Sequence, residues 1–251
     1  MLASVTESLL QSHIEAFVES MPRPYRYVFS PRGIEDHARL VAERQARPAA
    51  VGRFHSRRDL GAEAICVVAD DRPGLLATIS AALVVEQLDV VHAEAYTRSS
   101  GPGRNEAVDV FWVRDQRASG SSTVSDERLA RLESTLVDLI EGRQTLSQVP
   151  RPRPAPNTAF QARVRFIEDD DGQLSTLEVE TADRSGLLLA LAEALFEQKV
   201  QIVRSEVHTE KYRVQDRFVL LELDGTAIGP DRRLEIQVAV LRAIEPVLTA
   251  S

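Results

Sequence analysis

Cysteine occurs once in these 251 residues, at Cys66, and tryptophan once, at Trp112. A lone cysteine excludes an internal disulfide framework and a cysteine-based zinc site. The five histidines, His13, His37, His55, His92 and His208, are scattered, with no His-Asp step and no metal-ligand spacing, so no metal or other cofactor is expected. Gly101-Pro102-Gly103-Arg104 lacks the Lys-Ser/Thr of a phosphate loop. No stretch approaches the ~18 to 20 apolar residues that span a bilayer, which argues against a membrane partner. Residues 1–10 lack the basic region and apolar core of a secretory signal, so a cytoplasmic location is expected. Basic side chains are outnumbered 30 to 38, and the net charge of −8 opposes the counterion release that drives nucleic-acid binding. The strands also lack paired exposed aromatics, so no nucleic-acid partner is expected.

What the chain does have is a phrase that occurs twice. Asp71-Arg72-Pro73-Gly74-Leu75-Leu76 returns, without a gap, as Asp183-Arg184-Ser185-Gly186-Leu187-Leu188. The agreement extends downstream, where Ala81-Ala82-Leu83 answers Glu193-Ala194-Leu195, and upstream, where Arg53-Phe54 answers Arg165-Phe166. With 43% hydrophobic and 27% charged residues, the length suits two globular domains, each able to bury a core.

Apolar positions at Leu9, Leu10, Ile14, Phe17 and Val18 predict a helix over residues 4–20, ended by Pro22 and Pro24. Ser30-Pro31 opens a second helix through Ile34, Ala38, Leu40 and Val41. These make a helical adaptor over 1–47. The first domain, over 48–149, reads as a strand near Val51 to His55, a turn at Asp59-Leu60-Gly61 and a strand over Ala64 to Ala69. A helix through Leu75 to Leu83 follows, then strands at Asp89 to Arg98 and Ala107 to Arg114, and a helix from about Asp126 to Glu141. A Pro/Arg linker spans 150–157. The second domain, 158–251, repeats the plan: strands at Ala162 to Ile167 and Thr176 to Thr181 about the turn Asp169 to Gly172, a helix, strands at Gln201 to Thr209 and Gln215 to Leu223, and a last helix from about Arg232 to Leu248. The Ser-Gly-Pro-Gly insert after Thr97 is expected as a surface loop. The order β-β-α-β-β-α predicts an α+β fold of two ferredoxin-like α/β sandwiches. Each is an antiparallel four-stranded sheet with two helices on one face, the leading strand taking the place of a closing one.

The repeated phrase sits where an apolar strand hands over to a helix. Asp71 or Asp183 can cap helix amides, Pro73 suits a first turn, and the glycine permits close backbone approach. Amides left unpaired beside the positive end of a helix favour a carboxylate such as that of a free amino acid. Two readings stay open here, capping alone and capping with ligand contact. His92, Glu94 and Tyr96 share one sheet face, as do Arg204, Glu206 and His208, and both sets are expected to face solvent or the sister module. Asp109 and Asp216 are expected to brace neighbouring strands, Trp112 to be core or interface, and Cys66 to be an inert buried thiol.

The two Asp-Arg-x-Gly-Leu-Leu copies, Val108-Asp109-Val110-Phe111, Gln215-Asp216-Arg217-Phe218, and the segment Tyr25 to Val41 with Phe29-Ser30-Pro31 and Asp36-His37-Ala38-Arg39-Leu40 together resemble tandem ACT domains. They are most similar to the C-terminal regulatory region of the bifunctional uridylyltransferase/uridylyl-removing enzymes that modify PII proteins. The resemblance implies a non-catalytic protein, its two modules packed together or across a dimer, that senses a free amino acid, with glutamine first, at the seam between modules, in nitrogen or amino-acid metabolism. The family's glycine-rich turn with paired aspartates and its His-Asp metal cluster have no counterpart in this chain, so no enzymatic activity is expected. The ligand contacts implied are Asp71, Arg72, Gly74, Leu75, Asp89 and Val90 in the first module, and Asp183, Arg184, Gly186, Leu187, Gln201 and Ile202 in the second. The family often has asparagine where this chain has Asp89 and Gln201. Asp89 repels a carboxylate but holds an ammonium, and Gln201 both donates and accepts, which makes the second module the better site. The partners implied are the amino acid and either a second copy of the chain or a regulated protein. Two alternatives stand beside this reading, a subunit of a PII-modifying enzyme and a dimerisation scaffold whose ligand site has decayed.

Overall fold

The computed structural model describes residues 2–117, 123–151, 161–168, 175–210 and 212–244, with side chains from Gln11 onward. The turn expected at Asp169 to Gly172, most of the Pro/Arg linker and the end of the last helix lie outside the described residues. Three helices open the chain: α1 (Leu2–Ser20), the single turn α2 (Tyr25–Val28) and α3 (Pro31–Arg44). The first copy of the repeat then runs β1 (Ala49–Arg53), β2 (Glu63–Asp70), α4 (Leu75–Val85), β3 (Leu88–Gly101), β4 (Arg104–Asp115) and α5 (Asp126–Ile140). The second runs β5 (Arg163–Glu168), β6 (Ser175–Ala182), α6 (Leu187–Glu197), β7 (Val200–Glu210), β8 (Arg213–Glu222) and α7 (Pro230–Ile244).

The fold is α+β and every strand pairing is antiparallel. The strands do not form two separate sheets. They join into one eight-stranded sheet in the order β1-β2-β4-β3-β7-β8-β6-β5, which reads the same when the two copies are exchanged. The join is short: His92, Ala93, Glu94 and Ala95 of β3 face His208, Val207, Glu206 and Ser205 of β7. In each copy the leading strand lies beside the second one, at the outer edge. The Ser-Gly-Pro-Gly insert lies at the surface as expected, but as the end of a hairpin and not as a loop. It lengthens the β3–β4 ladder to Gly101 opposite Arg104, because Gly101 and Gly103 both adopt positive φ and close a tight turn.

Alternation along the strands decides what covers each face. Ile65, Val67 and Ala69 of β2 and Phe111 and Val113 of β4 point into a core shared with α4, α5, α6 and α7, which continues through Leu177, Val179, Phe218 and Leu220 of the second copy. On the opposite face the first copy presents Ala64, Cys66, Val68, Val108, Val110 and Trp112, and α1 to α3 cover it with Phe17, Tyr25, Phe29 and Leu40. Five of the six corresponding positions in the second copy are polar, Thr176, Glu178, Glu180, Gln215 and Arg217, with only Val219 apolar in the place of Trp112, and Glu178 is bonded to Arg165 and Arg217 across the strands. One adaptor therefore suffices, because only one copy has an apolar second face.

That packing corrects the expected surroundings of three residues. His92, Glu94 and Tyr96 are buried, not solvated: Tyr96 meets the Tyr25 ring of the adaptor edge-on at 5.3 Å, Glu94 accepts from Tyr96 and from Arg58 at 2.8 Å, and His92 does meet the sister module, its ring 5.9 Å from that of His208. Trp112 is core, with its indole N–H on Ser56 Oγ at 2.9 Å, and Cys66 is buried with its thiol pKa pushed up by burial.

Candidate functional site

Each repeated phrase makes the corner between a strand and a helix. Gly74 and Gly186 are the N-caps of α4 and α6, with φ of 79° and 72°, a backbone state open to glycine at little cost. Neither helix has a side-chain cap, so the expected capping by Asp71 and Asp183 is not what occurs. The left-handed glycine turns the chain too late for an aspartate three residues earlier to reach the helix amides. Asp71 instead accepts from the Thr97 hydroxyl at 3.1 Å, and its own N–H is tied to Asn105 O at 3.0 Å. Pro73 stands in the turn before α4, not in its first turn. The motif arginines turn away from the corner. Arg72 donates to Ile140 O at 3.1 Å and Arg184 to Ala243 O at 3.0 Å, so each cation sits at the C-terminal end of its own copy's last helix, where the dipole favours it.

At each corner two of the first four helix amides are bonded and two are not. Leu75 N–H donates to Arg72 O and Thr78 N–H to Gly74 O, and in the second copy Leu187 donates to Arg184 O and Ala190 to Gly186 O. Among the described residues, no protein carbonyl accepts from Leu76, Ala77, Leu188 or Leu189, although all four are buried. Buried amides without a protein partner are uncommon, and here they lie at the positive end of a helix.

Two cavities of about 40 Å³ open at these corners, each with space for the centres of a few waters. They are related by the exchange of copies. The first lies between the first corner, from Asp71 to Ala77, and Phe196, Gln201 and Ile202 of the second copy. The second lies between Asp183 to Leu189 and Val84, Asp89 and Val90 of the first copy. All twelve residues singled out in the sequence line these two cavities. Their grouping is crossed, however. Gln201 completes the first corner and Asp89 the second, because the β3–β7 join sets the start of each strand against the other copy's corner. The expected seam between the modules is where the cavities lie, but Asp89 and Gln201 serve the opposite corners from those expected.

Sequence reasoning missed the floor. Asp109 and Asp216 point from β4 and β8 to the helix face, beneath the starts of α4 and α6, and line the two cavities. Burial, with Asp71 close by, pushes the Asp109 carboxyl up to about 8, and it accepts a hydrogen bond from Tyr96 N–H at 3.3 Å. Burial likewise raises Asp216, which is 1% exposed with both oxygens lacking a hydrogen-bond partner by geometry. Asp71 and Asp183 are raised as well, chiefly by burial. The signal was present in the sequence, an aspartate inside an apolar strand at the matching place in both copies.

The sequences of known proteins agree with the resemblance drawn from these motifs. The chain is similar to one segment of bifunctional uridylyltransferase/uridylyl-removing enzymes. It is 28% identical over 234 residues to that of Phenylobacterium zucineum, covering 92% of this chain and 24% of the relative. It is 31% identical over 189 residues to that of Erythrobacter litoralis, 73% of this chain and 20% of the relative. It is 28% identical over 239 residues to that of Gluconobacter oxydans, 92% of this chain and 24% of the relative. The chain thus spans about a quarter or less of the length of these curated relatives. No family model matches it. Among the described residues no three His, Cys, Asp or Glu side chains are grouped to hold a metal, and no helix is long and apolar enough to cross a membrane.

Proposed function

We propose that the chain is a non-catalytic regulatory module in which two ACT-like domains, over 48–149 and 158–251, sense a free amino acid at the seam between them. One observation carries the reading: each seam cavity sets unpaired amides, those of Leu76 and Ala77 or of Leu188 and Leu189, opposite a buried aspartate, Asp109 or Asp216. That is a cradle for a zwitterion, with the carboxylate on the amides and the ammonium on the aspartate. Glutamine is the first ligand to try, from the resemblance, and Gln201 is placed to exchange hydrogen bonds with an amide side chain. Because each cavity draws walls from both copies, a ligand favours one relative arrangement of the copies by its differential affinity, and a hundredfold difference shifts that balance by about 2.7 kcal/mol. A partner protein reads the shift in a cytoplasmic nitrogen-regulating system. Calorimetric titration of the chain with each of the twenty amino acids tests this. Saturable binding below millimolar ligand supports it, and the absence of binding by all twenty overturns it. Incubation with PII and UTP tests the enzymatic alternative, since uridylyl transfer by this chain alone contradicts a non-catalytic role.

A second reading, a scaffold whose sites have decayed, has its own observation in Phe196, whose ring lies on the first corner's glycine and narrows that cavity. If that is its role, Phe196→Ala creates amino-acid binding where the parent chain shows none.

A further inference from the structure

The two seam cavities differ where they otherwise match, and the difference is one of charge. At the place where Gln201 enters the first, Asp89 enters the second. The first cavity holds two carboxyls, Asp71 and Asp109, each accepting a hydrogen bond: from the Thr97 hydroxyl at 3.1 Å and from Tyr96 N–H at 3.3 Å. The second holds three, Asp89, Asp183 and Asp216. Its floor residue, Asp216, is almost fully buried, and the backbone N–H of His208 that eases its charge makes no hydrogen bond of ordinary geometry with either oxygen. Asp89 is turned toward this cavity by Gln116, whose amide donates both to Asp89 and to Ser185 Oγ at 2.7 Å, fastening the end of the first copy's hairpin to the second copy's corner. The motif arginines line the two cavities alike, Arg72 the first and Arg184 the second, so they do not account for the difference. Arg114 stands opposite Asp89 in the β3–β4 ladder, but it is exposed, bonded to Leu60 O and Gly61 O and outside the lining.

We infer that the second seam cavity takes an amino acid whose side chain ends in a cation, such as lysine or ornithine, while the first takes one with an uncharged side chain. The inference rests on the zwitterion cradle proposed above and names its specificity. The ligand carboxylate lies on the Leu188 and Leu189 amides, the α-ammonium on Asp216, and the side-chain cation on Asp89 at the rim, with Asp183 beside both. A ligand with two positive charges satisfies a cavity with three carboxyls, whereas a neutral side chain leaves Asp89 and Asp183 repelling each other across it. In the first cavity Gln201 offers no charge, so a second ammonium gains nothing there.

Calorimetry on the full chain with L-lysine, L-ornithine, L-glutamine and L-norleucine, repeated on Asp89→Asn and Gln201→Asp, decides it. Lysine is expected to bind at one site per chain and norleucine, its uncharged counterpart, more weakly there. Asp89→Asn is expected to lower lysine affinity about three- to tenfold, leave glutamine at the first cavity unchanged and preserve the melting temperature, since Asp89 is only half-buried at the rim. Gln201→Asp is expected to raise lysine stoichiometry from one to two. Equal affinity for lysine and norleucine, or lysine binding indifferent to Asp89→Asn, overturns the inference and leaves the amino-acid cradle standing. No binding by any of the four ligands overturns both. A competition arm with calcium covers the remaining chemistry: saturable calcium binding that Asp89→Asn abolishes, with no lysine binding, makes the cavity a metal site and overturns the inference.

Discussion

The ring of Phe196 lies against Gly74 so closely that a Cβ on the glycine would stand 2.8 Å from Phe196 Cδ2. The contact joins the end of α6 in one copy to the first corner of the other, across the wall of a seam cavity. Gly74→Ala therefore incurs two costs, a left-handed backbone at φ 79° and an overlap with the ring. We expect it to lower stability by about 1–3 kcal/mol in urea unfolding. In a Phe196→Ala background the overlap vanishes and the backbone cost alone remains, so the two changes couple by a measurable fraction of that amount. Additive effects would mean the ring is free to move aside.

Asp109 sets the pH behaviour of the first cavity. With its pKa at about 8, against 3.8 for an unhindered aspartate, the folded chain holds a proton that the unfolded chain has released. Stability linked to this group is greatest below the unfolded value and falls as pH rises toward about 8. Asp109→Asn is expected to flatten that fall and to raise the melting temperature at pH 8 more than at pH 5. Ligand binding follows the opposite slope, because an ammonium needs the carboxylate. Affinity is expected to rise roughly five- to twentyfold between about pH 6.5 and 8.5, with a proton released on binding that buffer-dependent calorimetry detects. An unchanged affinity over that range would separate Asp109 from the ligand.

The arginine of each repeated phrase acts at a distance from the corner it helps to spell. Arg72→Ala and Arg184→Ala each leave a helix C-terminus without its cation, and each is expected to cost about 1–2 kcal/mol in stability. Because both guanidiniums are committed to Ile140 O and Ala243 O, ligand affinity should move less than stability does. A loss of affinity exceeding the loss of stability would put the arginine on the ligand.

Element order was legible in the sequence because repetition fixed it twice: an apolar strand, a glycine corner and an amphipathic helix recur at one offset, and the strands and helices lie where that pattern puts them. The join of the two sheets was not legible. It rests on four residue pairs between β3 and β7, and nothing in the alternation of His92 to Ala95 distinguishes a neighbouring strand from solvent. Missing the join crossed the grouping of Gln201 and Asp89. The second apolar face of the first copy was written in Ala64, Cys66, Val68, Val108, Val110 and Trp112, and comparison with Thr176, Glu178, Glu180, Gln215 and Arg217 tells which copy the adaptor covers.

That adaptor is held by a buried charge cluster. Arg44, the last residue of α3, donates to Glu106 at 2.6 Å and to Asp70 at 2.7 Å, and Arg98 reaches the other Glu106 oxygen at 2.7 Å while also bonding Ser20 at 2.9 Å. Arg44 and Glu106 are both almost fully buried, whereas the Asp70 side chain is largely in water. Glu106→Ala strands two cations with only exposed or neutral partners, and is expected to cost about 3–5 kcal/mol. Replacing the buried pair together, as Arg44→Met with Glu106→Leu, removes the stranded charge and should cost far less, since desolvation of the ions offsets most of their attraction. The site should register the difference, because Glu106 sits one residue from Ala107, which lines the first cavity. Glu106→Ala is expected to weaken ligand binding there, while the double replacement restores it. If both variants lose stability equally, the cluster holds the adaptor by attraction and not by the penalty of breaking it.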